Sequence, residues 1–212
     1  MSSKSTSQNR DALEICVLEP GRKAKHACPN LHACTYGERI LTSLPHDIIV
    51  PEVVAKELEH ETSKTNGEHG FLHTLAESGK VRITPMTEAE IELFAQLITG
   101  SPSLDDGEAA TIAIATARNL LPVIDEKKGR AKAANLQPHR PPGWSLDLLR
   151  HQSVLHHLSD EDAIEALYLA LREGRMRIPE EYCNEVVKLI GIERAKECVC
   201  LPGYRAIREN WL

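Results

Sequence analysis

The chain has 212 residues, 42% of them hydrophobic and 26% charged. That is an ordinary water-soluble globular profile, with room for one full core plus an appendage or for two small domains. The formal net charge of -6 argues against a general nucleic-acid coat protein, which would be basic; it leaves open an enzyme that holds nucleic acid through metal ions, because clustered carboxylates lower the net charge.

Residues 1–10 are polar, carry no apolar run of the secretory type and read as a disordered tail. Leu13 to Leu18 reads as a short buried strand, and the Gly-, Pro-, His- and Lys-rich stretch from Glu19 to Tyr36 as irregular. Glu38 to Leu44 is expected to be a short helix and Asp47 to Val50 a strand ended by Pro51. Pro51 suits the first turn of a helix over Glu52 to Glu61. A polar loop is expected from Ser63 to Gly70, then a helix from Phe71 to Ser78 stopped by Gly79. Val81 to Thr84 reads as a strand. Ile91, Phe94, Ala95 and Ile98 recur at helical spacing within Thr87 to Thr99. After a turn at Gly100 to Asp106 comes an alanine-rich helix, Gly107 to Asn119, small enough in section to lie close on a sheet, and then a buried strand, Leu120 to Ile124. This alternation favours a parallel sheet covered on both faces.

The composition changes after Pro138, and His139 to Gly143 reads as a linker. Helices are expected over Leu146 to Leu158, Asp160 to Arg172, Pro179 to Ile190 and Ile192 to Cys198, with Ser159 as an N-cap. The expected organisation is therefore a tail over 1–10, an α/β domain over 11–138 and an all-helical extension over 144–212. No stretch approaches the ~20 apolar residues that a bilayer-spanning helix needs. The expectation is a cytoplasmic protein whose six cysteines are free thiols.

Acidic residues gather around the last strand and the helix before it. Ligands of parallel sheets bind beyond the carboxyl ends of the strands, and Asp125 stands where such a strand ends. Glu108 opens the preceding helix, and Glu57 lies on the helix after the strand ending at Val50. Carboxylates from three segments suit Mg2+ or Mn2+, which prefer oxygen ligands and assist hydrolysis of phosphodiesters. Asp105 fits an auxiliary ligand, and equally the N-cap partner of Glu108 in a capping box. Lys127, Lys128, Arg130 and Lys132 follow Asp125; Lys128 and Arg130 are the candidates for RNA phosphate contact, with a solvated helix face as the alternative.

These residues carry a family resemblance. LDDGEAATIAIATARNLLPVIDEKKGRAKAANL, from Leu104 to Leu136, resembles the second half of bacterial PIN-domain ribonucleases: a Gly-Glu pair opening a helix, a short strand, then an acid followed by a Gly-Arg pair. IIVPEVVAKEL, residues 48–58, resembles the same family's strand, proline and acid-bearing helix. The resemblance implies a three-layer α/β sandwich with a central parallel sheet, here with a C-terminal all-helical extension that packs on the core or at a dimer interface. It implies metal-dependent endoribonuclease activity with Glu57, Glu108 and Asp125 as catalytic metal ligands. Many small members are toxins of toxin–antitoxin pairs, so RNA, an antitoxin protein and a second copy of the chain are the partners it implies.

The beginning of the chain departs from the family pattern of an apolar strand ending in aspartate. Glu19, after Ile15 to Leu18, is one candidate for the first acid; Asp11 is another; an ungapped count from Asn30 puts Ala24 there and leaves the site a ligand short. That last register motivates an alternative function, a catalytically impaired binding or assembly module; a DNA-directed or phosphatase-like hydrolase using the same acids is a third reading. His26, Cys28, His32 and Cys34 supply zinc-type donors at tight spacing, set against a loop with incidental thiols and imidazoles.

Overall fold

The computed structural model describes residues 15–17, 36–65 and 67–209. The expected tail, the three first-acid candidates Asp11, Glu19 and Ala24, and the zinc-type group His26, Cys28, His32 and Cys34 lie outside the described residues.

The protein is a mixed α/β chain, mostly helical, with a small parallel sheet. Strands β1 (Ile15–Val17), β2 (Ile48–Pro51), β3 (Val81–Thr84) and β4 (Leu121–Val123) lie in the order β3-β2-β1-β4. Every pairing is parallel, with Ile15 opposite both Ile48 and Leu121, and Ile48 opposite Val81. Between β1 and β3 the chain steps outward one way; β4 then returns to the far side of β1. Such a reversal leaves a crevice at the carboxyl ends of the strands.

The helices are α1 (Gly37–Ser43), α2 (Glu52–Glu57), α3 (Glu61–Thr65), α4 (Glu68–Glu77), α5 (Glu88–Thr99), α6 (Asp106–Arg118), α7 (Lys127–Leu136), α8 (Ser145–Leu149), α9 (Gln152–His157), α10 (Asp160–Arg172), α11 (Cys183–Ile190), α12 (Ile192–Ala195) and α13 (Tyr204–Glu209). A 3-10 turn, Glu180–Tyr182, precedes α11. None of the described helices is long and apolar enough to cross a membrane.

Successive strand residues point to opposite faces, and the core divides accordingly. Ile48, Val50 and Val123 join one cluster with α1, α2, α4 and the helices after residue 144. Ile49 joins another with Ile114 and Ala115 of α6. Ala109, Ala110, Ala113 and Ala115 are all fully buried, so α6 can run close against its neighbours. It packs on α2, α5, α7 and on strands β1, β2 and β4. The helices after 144 therefore share one continuous core with the α/β part, and α1 packs directly on α8 and α9.

Several elements differ from the sequence expectation. The helix expected from Glu52 to Glu61 ends at Glu57, and the expected polar loop from Ser63 to Gly70 is largely α3 and the start of α4. The segment looks polar in sequence, but Glu68 turns to the core on the same helix face as Leu72 and Leu75. The single helix expected over Leu146 to Leu158 is two, because His151 is extended and its imidazole Nδ1 accepts from the Ser153 amide to start α9. Thr87 and Glu90 form a capping box on α5, and Glu90 is a buried carboxylate (2% exposed) gripped by Arg118 from α6 at 2.6 and 2.8 Å.

Candidate metal and active site

α6 begins at the carboxyl edge of the sheet, and its first turn carries most of the acids. Asp105 is its N-cap: the side-chain Oδ1 accepts the Glu108 amide at 2.9 Å. This satisfies one of the donors that every helix start leaves open. Both readings of Asp105 thus remain, since its cap places the carboxylate beside the candidate acids.

Glu108 is 3% exposed. Its backbone is fixed by the Asp105 cap, and its carboxyl lies against Gly129 of α7. A Cβ at position 129 would stand 2.6 Å from Oε1 and 3.2 Å from Cδ of that carboxyl. Any side chain at 129 would therefore displace the Glu108 carboxyl and press on Ile124, 3.0 Å away. Oε1 of Glu108 is buried without a hydrogen-bond partner among the described residues. A buried polar atom left so costs about 1–3 kcal/mol, more when charged, and in a native fold it is met by an ordered water, an ion or a strained, functional setting.

Glu57 sits at the end of α2, half-buried, and α2 packs on α6. Burial, with the neighbouring charges of Asp105 and Asp106 adding to it, pushes its carboxyl from an ordinary 4.5 up to about 7. Two like charges close to a partly desolvated acid disfavour its ionised form. Asp106 is a contributor that the sequence reading passed over; its place in the run Leu104 to Glu108 was its only signal.

Asp125 follows β4, where the strand ends. Its Oδ1 accepts the Ser145 amide at 2.8 Å, a bond that reaches across to the start of α8. Glu126, next in sequence, forms an ion pair with Arg177. The stretch read as a linker, His139 to Gly143, is tied to β4 at its last residue: Gly143 bridges Val123, its amide donates to the Pro122 carbonyl at 2.9 Å, and its carbonyl accepts the Ile124 amide at 3.1 Å.

Arg130 does not offer its guanidinium to solvent as a phosphate contact would require. Nη1 donates to the carbonyls of Ile124 (2.7 Å) and Gly143 (2.6 Å), and Nη2 to that of Pro142 (2.8 Å). The guanidinium also lies 3.6 Å from the centre of the Trp144 ring, a cation–π distance. Lys127 and Lys128, by contrast, are exposed at the start of α7.

The structure thus brings Glu57, Asp105 and Asp106 into one electrostatic group, with Glu108 one turn into α6 and Asp125 on the adjoining strand end. It does not draw Glu57, Glu108 and Asp125 into a closed cluster. Among the described residues no group of three or more His, Cys, Asp or Glu side chains stands ready to hold an ion. Asp105 is turned to a helix cap, Asp125 to the Ser145 amide and Glu108 to the face of α7. Gly129 belongs to the Gly-Arg pair of the motif, whereas Trp144 and Ser145 shape this site without a signal in the sequence, and Gly143 reads there only as the end of a linker.

Comparison with protein-family models gives a match over residues 38–192 to a model described as PIN domain. Curated proteins and solved structures gave no match.

Proposed function

The chain belongs to the PIN-domain family, and from that premise we propose that it is an Mg2+- or Mn2+-dependent endoribonuclease whose metal-holding acids are Glu57, Glu108 and Asp125. The observation that carries the reading is the buried, unpartnered Oε1 of Glu108 at the carboxyl edge of a parallel sheet, where the strand order reverses. The donor chemistry fits: oxygen-only carboxylates from α2, α6 and the end of β4 suit hard divalent cations. The three-layer sandwich proposed with this reading is supported by the division of Ile48 and Val50 from Ile49 between separate clusters.

The chemistry that such an ion supplies when bound is charge neutralisation at the scissile phosphodiester and activation of water. The chain's own residues prepare for it. Asp105 fixes the start of α6 and so the root of Glu108. Glu57 carries a proton at neutral pH for part of the time, and a cation beside it favours release of that proton. The Ser145 amide holds Asp125. Exposed Lys127 and Lys128 are placed to attract the phosphate backbone. A toxin role, with an antitoxin partner and a homodimer, is the further expectation that goes with this reading.

The test is cleavage of matched single-stranded RNA and DNA by the full chain with Mn2+. RNA should be cut, and Glu108→Gln with Asp125→Asn should abolish cutting. RNA cleavage unchanged in that double variant would sink the proposal. A wild type that binds RNA without cutting it would favour the impaired binding module, and equal cutting of DNA would favour the DNA-directed hydrolase.

A further inference from the structure

The Asp125 carboxylate accepts the Ser145 amide, twenty residues on. That grip needs Ser145 to stay in place beside the short β4 strand. The 142–145 segment is attached to β4 by the two backbone hydrogen bonds that make up the Val123–Gly143 bridge. Arg130 adds the remaining fastening. It binds the carbonyl of Ile124, the residue before Asp125, and the carbonyls of Pro142 and Gly143, the residues leading to Ser145. Trp144, immediately before Ser145, stacks on the same guanidinium and donates its amide to Asp147 at 2.7 Å. One rigid, planar fork thus joins the chain on both sides of the Asp125–Ser145 hydrogen bond. An arginine suits this task because its five donors sit in a fixed geometry, whereas a lysine ammonium is a point charge on a flexible stem.

We infer that Arg130 is the positioning residue of Asp125, acting through the strap 142–145: its guanidinium fixes that strap to the end of β4 so that the Ser145 amide holds the Asp125 carboxylate in the orientation the metal site uses. This rests on the reading of Asp125 as a metal ligand. It also gives the residues after 138 a part in the site, beyond packing on the core. Outer contacts that orient a metal ligand typically contribute about 10- to 100-fold to metal affinity.

The experiment uses the full chain and Mn2+ alone as the probe, with affinity read by calorimetry and the Ser145 amide followed by hydrogen exchange. Arg130→Met should weaken Mn2+ binding about 10-fold and speed exchange at Ser145. Combined with Asp125→Asn, it should weaken binding no further than Asp125→Asn alone, since the two act as one unit. Arg130→Lys should restore neither readout. Ser145→Pro is the second variant, and it carries the test if Arg130→Met fails to fold. Proline is tolerated at the first helical position, and Trp144 before it is already extended. With Ser145→Ala as the reference for the lost hydroxyl, Ser145→Pro removes the amide donor. It should weaken Mn2+ binding to the same degree. The inference is overturned if Arg130→Met or Ser145→Pro binds Mn2+ like wild type, if the losses add fully to that of Asp125→Asn, or if lysine restores both readouts. A wild type that binds no Mn2+ defeats the metal reading and takes this inference with it, whereas wild-type binding with an unaltered Arg130→Met defeats the inference alone.

Discussion

Glu57 offers a sharp test, because its carboxyl is raised to about 7 by burial and by Asp105 and Asp106. An unfolded chain releases this proton near the ordinary value of 4.5, so between the two values the folded chain holds the extra proton. Stability therefore falls as pH rises through that window, and the contribution is fully present only below it. At about 1.4 kcal/mol per pH unit the full penalty is roughly 3 kcal/mol, and solvent screening at a half-buried side chain reduces it to about 1–2 kcal/mol. Glu57→Gln removes the titration while keeping the shape. Urea unfolding from about pH 4 to about pH 8.5 should show the variant matching wild type at the acid end and exceeding it by about 1–2 kcal/mol at the alkaline end. Added Mn2+ should reverse the order at the alkaline end by stabilising wild type more than the variant. Parallel curves for the two proteins across the whole range would refute the reasoning.

Other parts of the molecule give independent checks. Glu90, held below the usual carboxylate range chiefly by Arg118, contributes stability above the ordinary glutamate range that is lost as pH falls through its lowered value; Glu90→Gln should cost about 1–3 kcal/mol near neutral pH in urea unfolding, and the difference should shrink in acid. Gly129→Ala sets a methyl against the Glu108 carboxyl and should destabilise the fold by about 1–3 kcal/mol while weakening Mn2+ binding in calorimetry. Cys198, a buried thiol pushed up by burial to about 11, should stay unlabelled by a thiol reagent in the native protein and react on unfolding, as read by peptide mass mapping; rapid native labelling would contradict its burial.

Much of the sheet was legible. Val81 to Thr84 and Asp160 to Arg172 stand as read, because alternation or amphipathic spacing was bounded by a clear stop or by the Ser159 cap. Asp125 and Glu108 were legible as acids at a strand end and a helix start, positions that the parallel topology makes meaningful. Their orientation was not. Whether a carboxyl turns to a neighbouring acid or to an amide twenty residues on depends on contacts such as Ser145 to Asp125, which local pattern does not encode. Arg130 shows the same gap: a basic residue after an acid suggested phosphate contact, while three backbone carbonyls and the Trp144 ring claim it. The break at His151, helix α3 and the first turn of α4 are not legible locally: the segments read as polar, and His151 serves as a cap while Glu68 turns inward.

Glu108, whose buried Oε1 has no hydrogen-bond partner among the described residues, is the central ligand of the proposed metal site. A crystal structure of the chain soaked in Mn2+, with anomalous data, tests this most directly. A manganese peak is expected at about 2 Å from Glu108 Oε1, shared with Glu57 or Asp125. Clear density for the Glu108 carboxyl with no peak beside it, or manganese bound only elsewhere on the molecule, would contradict it.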